Sequence, residues 1–242
     1  MSRHDEIASA LTAVRARLDA ACREAGRPLT EVALLPVTKF YPVTDVRILY
    51  DLGFRAFGES REPEAGTKVA DFRSTPGADE SVRWHMIGRL QRNKVKSVVR
   101  WADTVHSLDS VRLADALDRA AAGALDEGAR SDPLEVLLQV SLDADPDRGG
   151  VPAGDLGELA DRVAGSSNLV LGGIMGVPPL GVDPDAAFAR LSTLHANLLR
   201  THPEATTLSA GMTGDLEAAV RHGSTCVRVG TALLGRRPIV SK

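Results

Sequence analysis

A single (β/α)8 barrel of the TIM type carrying an extra N-terminal helix is the fold this sequence predicts, and three observations predict it. Strand-like and helix-like segments alternate along the chain, eight strands fit within its 242 residues, and no GxGxxG turn follows the first strand. Repeated strand–helix–strand units force parallel pairing through right-handed crossovers, and eight of them suit a closed barrel better than an open doubly wound sheet. The missing glycine fingerprint removes the commonest reason to prefer the open sheet.

The opening helix comes from Ile7, Leu11, Val14 and Leu18, which recur at spacings of three and four and stop at Gly26-Arg27-Pro28. Strands follow at 32–38, 55–58, 83–87, 104–107, 134–141, 170–175, 206–209 and 226–229, each an apolar or β-branched run. Helical stretches rich in Ala, Leu, Arg and Glu lie between them, at 43–52, 110–123, 154–164, 184–200 and 214–222. The expected organisation is one domain over 1–242, with the helix at 1–26 packed on the barrel.

With 43% hydrophobic residues the chain has enough apolar surface for one large core. The net charge of -3 is spread without like-charge blocks, so neither nucleic acid nor an anionic membrane surface is an expected partner. The N-terminal segment carries charges throughout and reads neither as a signal peptide nor as a membrane span, and a cytoplasmic location is the default expectation. Cys22 and Cys226 lack CxxC spacing, which points away from zinc or thioredoxin-like chemistry and toward two buried, reduced thiols.

A barrel places its chemistry at the C-terminal ends of its strands. Lys39 closes the first one, after Leu34, Leu35 and Val37. Desolvation at a strand rim favours a neutral, nucleophilic amine, which is what a Schiff-base lysine needs; a snorkelling lysine with its charge in water fits the same position. In CVRVGTALLG, alternation puts Cys226 and Arg228 on one face and Val227 and Val229 on the other, so Arg228 points into the barrel. Gly230-Thr231 then opens a helix, either as an anion cradle or as an ordinary strand-to-helix turn. Ser209 and Gly211 occupy the preceding loop, and the loops after the last two barrel strands commonly hold phosphate. A phosphate cradle with a lysine on the far side of the mouth suits a phosphorylated aldehyde, pyridoxal phosphate.

Segments spread over most of the chain carry a family resemblance: VTKFYP around Lys39, FGES at 57–60, WHMIGRLQRNK at 84–94, VHSLDS from Val105, VLLQVSLD, GGIMGVPP from Gly172, and SAGMTGDLEAAVRHGSTCVRVGTALLG from Ser209. In their order and spacing these resemble the pyridoxal phosphate homeostasis family of the YggS/PROSC type, related to the N-terminal barrel of alanine racemase. The resemblance implies a Schiff base between Lys39 and the cofactor. It implies a phosphate held by Ser209, Gly230 and Thr231 with the Gly211 backbone, and Arg228 against the pyridine nitrogen. Because a guanidinium does not readily give up a proton, that nitrogen would lack a full pyridinium and the ring would be a poorer electron sink. The chain departs from the family pattern at Ser60, where an asparagine is usual, at Arg148-Gly149, where a lysine is common, and at Ala210 and Thr213. Ser60, Met175 and Met212 are expected as neighbours of the ring edge.

His85 and His106 read either as hydrogen-bonded barrel histidines or as groups near the cofactor. Arg89, Arg92, Lys94 and Lys96 read as a solvated helix face or a docking surface, and Trp84 and Met86 as packing between barrel and helices. An alanine racemase needs a tyrosine on the second face of the cofactor, supplied by an additional β-domain of a partner subunit. This chain reaches Lys242 with only Tyr41 and Tyr50, both near the first strand. The expectation is therefore a monomeric carrier that holds pyridoxal phosphate and hands it to apo-enzymes, the alternative being a weak amino-acid racemase using Lys39 as its sole base.

Overall fold

A computed structural model describes residues 1–75, 77, 81–143, 149–179 and 181–236. The elements run α1 (Arg3–Glu24), β1 (Ala33–Pro36), α2 (Val43–Asp51), β2 (Ala56–Glu59), α3 (Glu64–Arg73), β3 (Arg83–Met86), α4 (Val95–Val98), β4 (Thr104–Leu108) and α5 (Val111–Asp126). They continue as β5 (Leu134–Gln139), α6 (Leu156–Ala164), β6 (Leu169–Met175), α7 (Pro184–Leu198), β7 (Thr207–Ser209), α8 (Leu216–Arg221), β8 (Cys226–Val229) and α9 (Thr231–Leu234). All eight expected strands are present, several trimmed by one to three residues, because pairing stops where the chain leaves the sheet for the next crossover.

The strands form one eight-stranded parallel sheet in the order β1-β8-β7-β6-β5-β4-β3-β2. The remaining edge closes by a single parallel bridge between Val37 and Gly58, supported by the Thr38 N–H donating to the Gly58 carbonyl at 2.9 Å. Closure at β1 and β2 is thus thinner than at β1 and β8, where four residue pairs run in register from Ala33–Cys226 to Pro36–Val229.

Helix α1 starts from a Ser2–Asp5 capping box that satisfies free N–H groups at its first turn. Its apolar stripe, Ile7, Leu11, Val14 and Leu18, is buried, so the pattern that predicted the helix also names the face it packs. Arg17 fastens it to α8 through two hydrogen bonds to Glu217, at 2.6 and 2.8 Å, and Arg3 bonds both Asp45 of α2 and the Leu234 carbonyl of α9. Outside the barrel, Trp84 packs against Phe57 and Phe72 with ring centroids 5.4 and 5.6 Å away, in the layer between strands and helices where sequence reading placed it.

Trp84 is fully buried, yet its indole N–H finds no acceptor among the described residues. Trp84→Ala is expected to destabilise the fold by about 3–5 kcal/mol in urea unfolding, whereas Trp84→Phe, which deletes the unsatisfied donor while keeping an aromatic ring, costs much less.

Candidate functional site

The seam between β1 and β8 assembles the site. The Val37 N–H donates to the Val229 carbonyl at 2.9 Å, and a Cβ on Gly230 would stand only 3.2 Å from the Val37 carbonyl oxygen. Lys39 therefore leaves the barrel beside the Gly230-Thr231 turn. The sequence put these groups on far sides of the mouth; parallel closure makes their strands neighbours instead.

Beyond Thr38 the chain reverses, with the Tyr41 N–H donating to the Thr38 carbonyl at 3.1 Å across Lys39 and Phe40. Phe40 has φ 70°, the only positive value at a non-glycine residue among those described. A positive φ at the third position of such a turn is the type II pattern, normally filled by Gly or Asn; a bulky residue there stores roughly 1–3 kcal/mol of strain. Lys39 is half-buried, with its Nζ 6.0 Å from the centre of the Phe40 ring.

A buried clamp holds the base of this turn. Thr38 Oγ1 donates to Glu59 Oε1 at 2.6 Å, and Lys68 Nζ, on α3, donates to the same carboxylate oxygen at 2.6 Å and to the Thr38 carbonyl at 2.8 Å. Glu59 ends β2 and is the acid of FGES; with Lys68 it forms an ion pair shielded from water, which fixes the residue immediately before Lys39. At the other end of the turn, the Tyr41 hydroxyl donates to the Gly235 carbonyl at 2.6 Å, tying the lysine loop to the end of α9.

Two backbone turns follow the ends of β7 and β8. Gly211 takes φ 92°, and a Cβ there would meet Ala219 Cβ at 2.6 Å, so only glycine lets β7 turn sharply against α8 while its carbonyl accepts the Arg228 N–H at 2.9 Å. Asp215 Oδ1 accepts the Met212 N–H at 2.6 Å and braces the same turn. At Gly230, Thr231 and Ala232 the backbone N–H groups find no acceptor among the described residues, as expected where a helical turn begins.

Beneath these turns lies a line of polar groups through the barrel interior. Arg228 is buried; its Nη1 donates to Ser209 Oγ at 2.6 Å and its Nη2 to the Gly176 carbonyl at 3.1 Å. Ser209 Oγ lies 3.0 Å from His106 Nδ1, and His106 Nε2 lies 2.9 Å from His85 Nδ1. Burial, then the charge on Arg83, pushes His85 down to about 4, and burial with the charges at His85 and Arg228 holds His106 well below the ordinary imidazole range. Both rings are therefore neutral near pH 7. No carboxylate pairs with Arg228 among the described residues; Asp215 acts on it only at longer range.

This geometry sorts the expected residues. Lys39, Gly230 and Thr231 keep accessible surface at one rim, and Arg228 lies just under it. Ser209 is fully buried, its hydroxyl lying between Arg228 and His106. His85 and His106 are hydrogen-bonded barrel histidines. Ser60 packs over Gly88 in the next loop, Met175 is buried and Met212 exposed. Arg148 lies outside the described residues. Sequence reading did not single out Glu59 or Lys68; FGES contained the acid, but nothing local linked it to an amine on the following helix. Arg89, Arg92 and Lys96 are solvated, beside a 670 Å³ depression lined with Arg112, Asp109 and Ser110. The larger cleft, of 810 Å³ and lined by Arg73, Arg83, Arg130 and Glu135, lies at the opposite end of the barrel and contains none of the site residues.

Comparison with known proteins adds an independent line. Residues 10–238 match the family described as alanine racemase, N-terminal domain. A pyridoxal phosphate homeostasis protein of Mycobacterium leprae is 52% identical over 240 residues, covering 96% of this chain and 93% of that protein. PipY of Synechococcus elongatus, solved with pyridoxal phosphate bound, superposes with a TM-score of 0.79 at 33% identity, covering 95% of this chain and all of that one. Alanine racemase of Corynebacterium glutamicum shares the fold alone, with a TM-score of 0.65 at 16% identity over 96% of this chain and 62% of its own.

Lys68→Met leaves the Glu59 carboxylate buried without its cation and is expected to destabilise the fold by about 3–5 kcal/mol in urea unfolding, with Glu59→Gln on the same background recovering most of the loss. The depressed histidines set a pH window. The unfolded chain takes up protons near 6.5 while folded His85 resists until about 4, so stability is fullest above pH 6.5 and declines as pH falls toward 4. Unfolding free energies measured from pH 7 to 4 should show that slope, and His85→Gln should flatten it.

Proposed function

Since the chain belongs to the pyridoxal phosphate homeostasis family, built on the alanine racemase N-terminal domain, we propose that it holds pyridoxal phosphate on Lys39 at the β1–β8 rim and buffers its supply. The observation that carries this reading is the seam itself, which sets a lysine turn next to backbone donors that find no acceptor among the described residues, with a buried guanidinium below them. The cofactor, when bound, supplies an aldehyde that condenses with a neutral amine, a phosphate dianion and an acceptor nitrogen in its ring.

The donor set fits that group. Lys39 is the amine, positioned by the Thr38–Glu59–Lys68 clamp on one side and the Tyr41–Gly235 bond on the other. The N–H groups at Gly230 and Thr231, with the Gly211 turn beside them, are the phosphate donors. Arg228 keeps its protons, so it offers the ring nitrogen a hydrogen bond without transferring one. Ser209, expected at the phosphate end of the site, also supports Arg228 from below.

The same reading covers partners and place. Among the described residues no helix is long and apolar enough to cross a membrane. A monomeric, cytoplasmic unit that gives up its cofactor to apo-enzymes, without nucleic acid, suits the scattered charge and a bound group held by few side chains. A racemase would need a second acid on the far face. Tyr41 is committed to the Gly235 carbonyl, and Tyr50 packs against Phe72, with their ring centroids 5.6 Å apart, on the outside of the barrel.

Purified protein mixed with pyridoxal phosphate should develop a lysine-linked absorption band, and borohydride reduction followed by peptide mass mapping should place the label on Lys39. Lys39→Ala should lose the band. Label on another lysine, or a colourless protein, overturns the assignment, and deuterium exchange into alanine at enzymatic rates would favour the racemase. Arg228→Ala should release the cofactor about tenfold faster or more, the worth of one charge-assisted hydrogen bond.

A further inference from the structure

The four polar side chains Arg228, Ser209, His106 and His85 come from β8, β7, β4 and β3 and meet inside a barrel whose interior is ordinarily apolar. Their hydrogen-bond sense follows from chemistry. A guanidinium only donates, so at the 2.6 Å contact Ser209 Oγ is the acceptor. The single hydroxyl proton must then go elsewhere. The thiol of Cys226 lies beside Ser209, but sulfur is a weak acceptor; His106 Nδ1 at 3.0 Å is a good one. A neutral His106 that accepts at Nδ1 carries its proton on Nε2 and donates it to His85 Nδ1. The line has one direction, from the guanidinium through the hydroxyl to the two imidazoles.

We propose that His106, backed by His85, is a positioning residue for Arg228: by taking the Ser209 proton it turns the serine oxygen toward the guanidinium and fixes the orientation in which Arg228 meets the cofactor. The inference rests on the proposed cofactor site. Without an acceptor at His106 Nδ1, the hydroxyl is free to rotate its proton toward Nη1, and a donor then faces a donor. Arg228, with no carboxylate partner among the described residues to anchor it, loses one of its two recorded bonds.

The test uses full-length protein loaded with pyridoxal phosphate, and reads the absorption maximum of the lysine-linked band together with its decay after rapid dilution. In His106→Phe and in Ser209→Ala the maximum should shift and release should quicken about tenfold, with melting temperature tracked separately. His106→Asn, which returns an acceptor near the Nδ1 position, should restore both readouts; a merely structural histidine would show no such rescue. His106→Phe that fails to fold leaves Ser209→Ala and His106→Asn to decide. Wild-type spectra and release in Ser209→Ala, or equal defects in His106→Asn and His106→Phe, overturn the inference. If the wild-type protein itself takes no label at Lys39, the cofactor assignment fails instead, and the two failures are told apart by that control.

Discussion

Parallel pairing of the first strand with the last is the constraint on which everything else rests. One backbone hydrogen bond at the top of that seam, from Val37 to Val229, sets the height at which both chains leave the barrel. Lys39 and the Gly230-Thr231 turn then emerge side by side because the sheet closes, with no long loop needed to bring them together. Residues almost two hundred positions apart in sequence become neighbours through register alone. Closure on the other side of β1 is one bridge wide, and there the Glu59–Lys68 pair adds side-chain bonds that the ladder does not provide.

The barrel interior shows what the site demands of the core. A guanidinium buried without a carboxylate partner is expensive unless its donors are met, and here a hydroxyl and a carbonyl meet two of them. The hydroxyl must itself be satisfied, which brings in one imidazole, and that imidazole brings in a second. Each polar group explains the next, so the two histidines belong to the arginine rather than to separate roles. The outer layer has no such demand and is filled by Trp84, Phe57, Phe72 and the apolar faces of the helices.

Much of this was legible in the sequence. The strands could be placed because each is a short apolar run, and α1 because its stripe keeps helical spacing up to Gly26. Lys39 and the Gly230 turn stood out as polar or glycine residues closing such runs, and alternation along β8 correctly turned Arg228 inward. What stayed hidden depends on contacts between distant segments. Ser209 stood out because it ends β7, but only the packing of β4 against the same space reveals its contact with His106. Lys68 sat in an unremarkable polar helix, with nothing to announce a partner on the preceding strand. The left-handed Phe40 was equally invisible, since propensity argues against it and the surrounding bonds overrule propensity.

The buried guanidinium of Arg228 has a consequence for the life of the protein. Two protein bonds leave it further donors for a ligand to meet, and any ligand that binds only the native form deepens its free-energy well by RT ln(1 + [L]/Kd). Occupancy and durability thus rise together. On the function proposed above, a cell rich in pyridoxal phosphate would keep more of the chain folded and beyond the reach of proteases, and a starved one less.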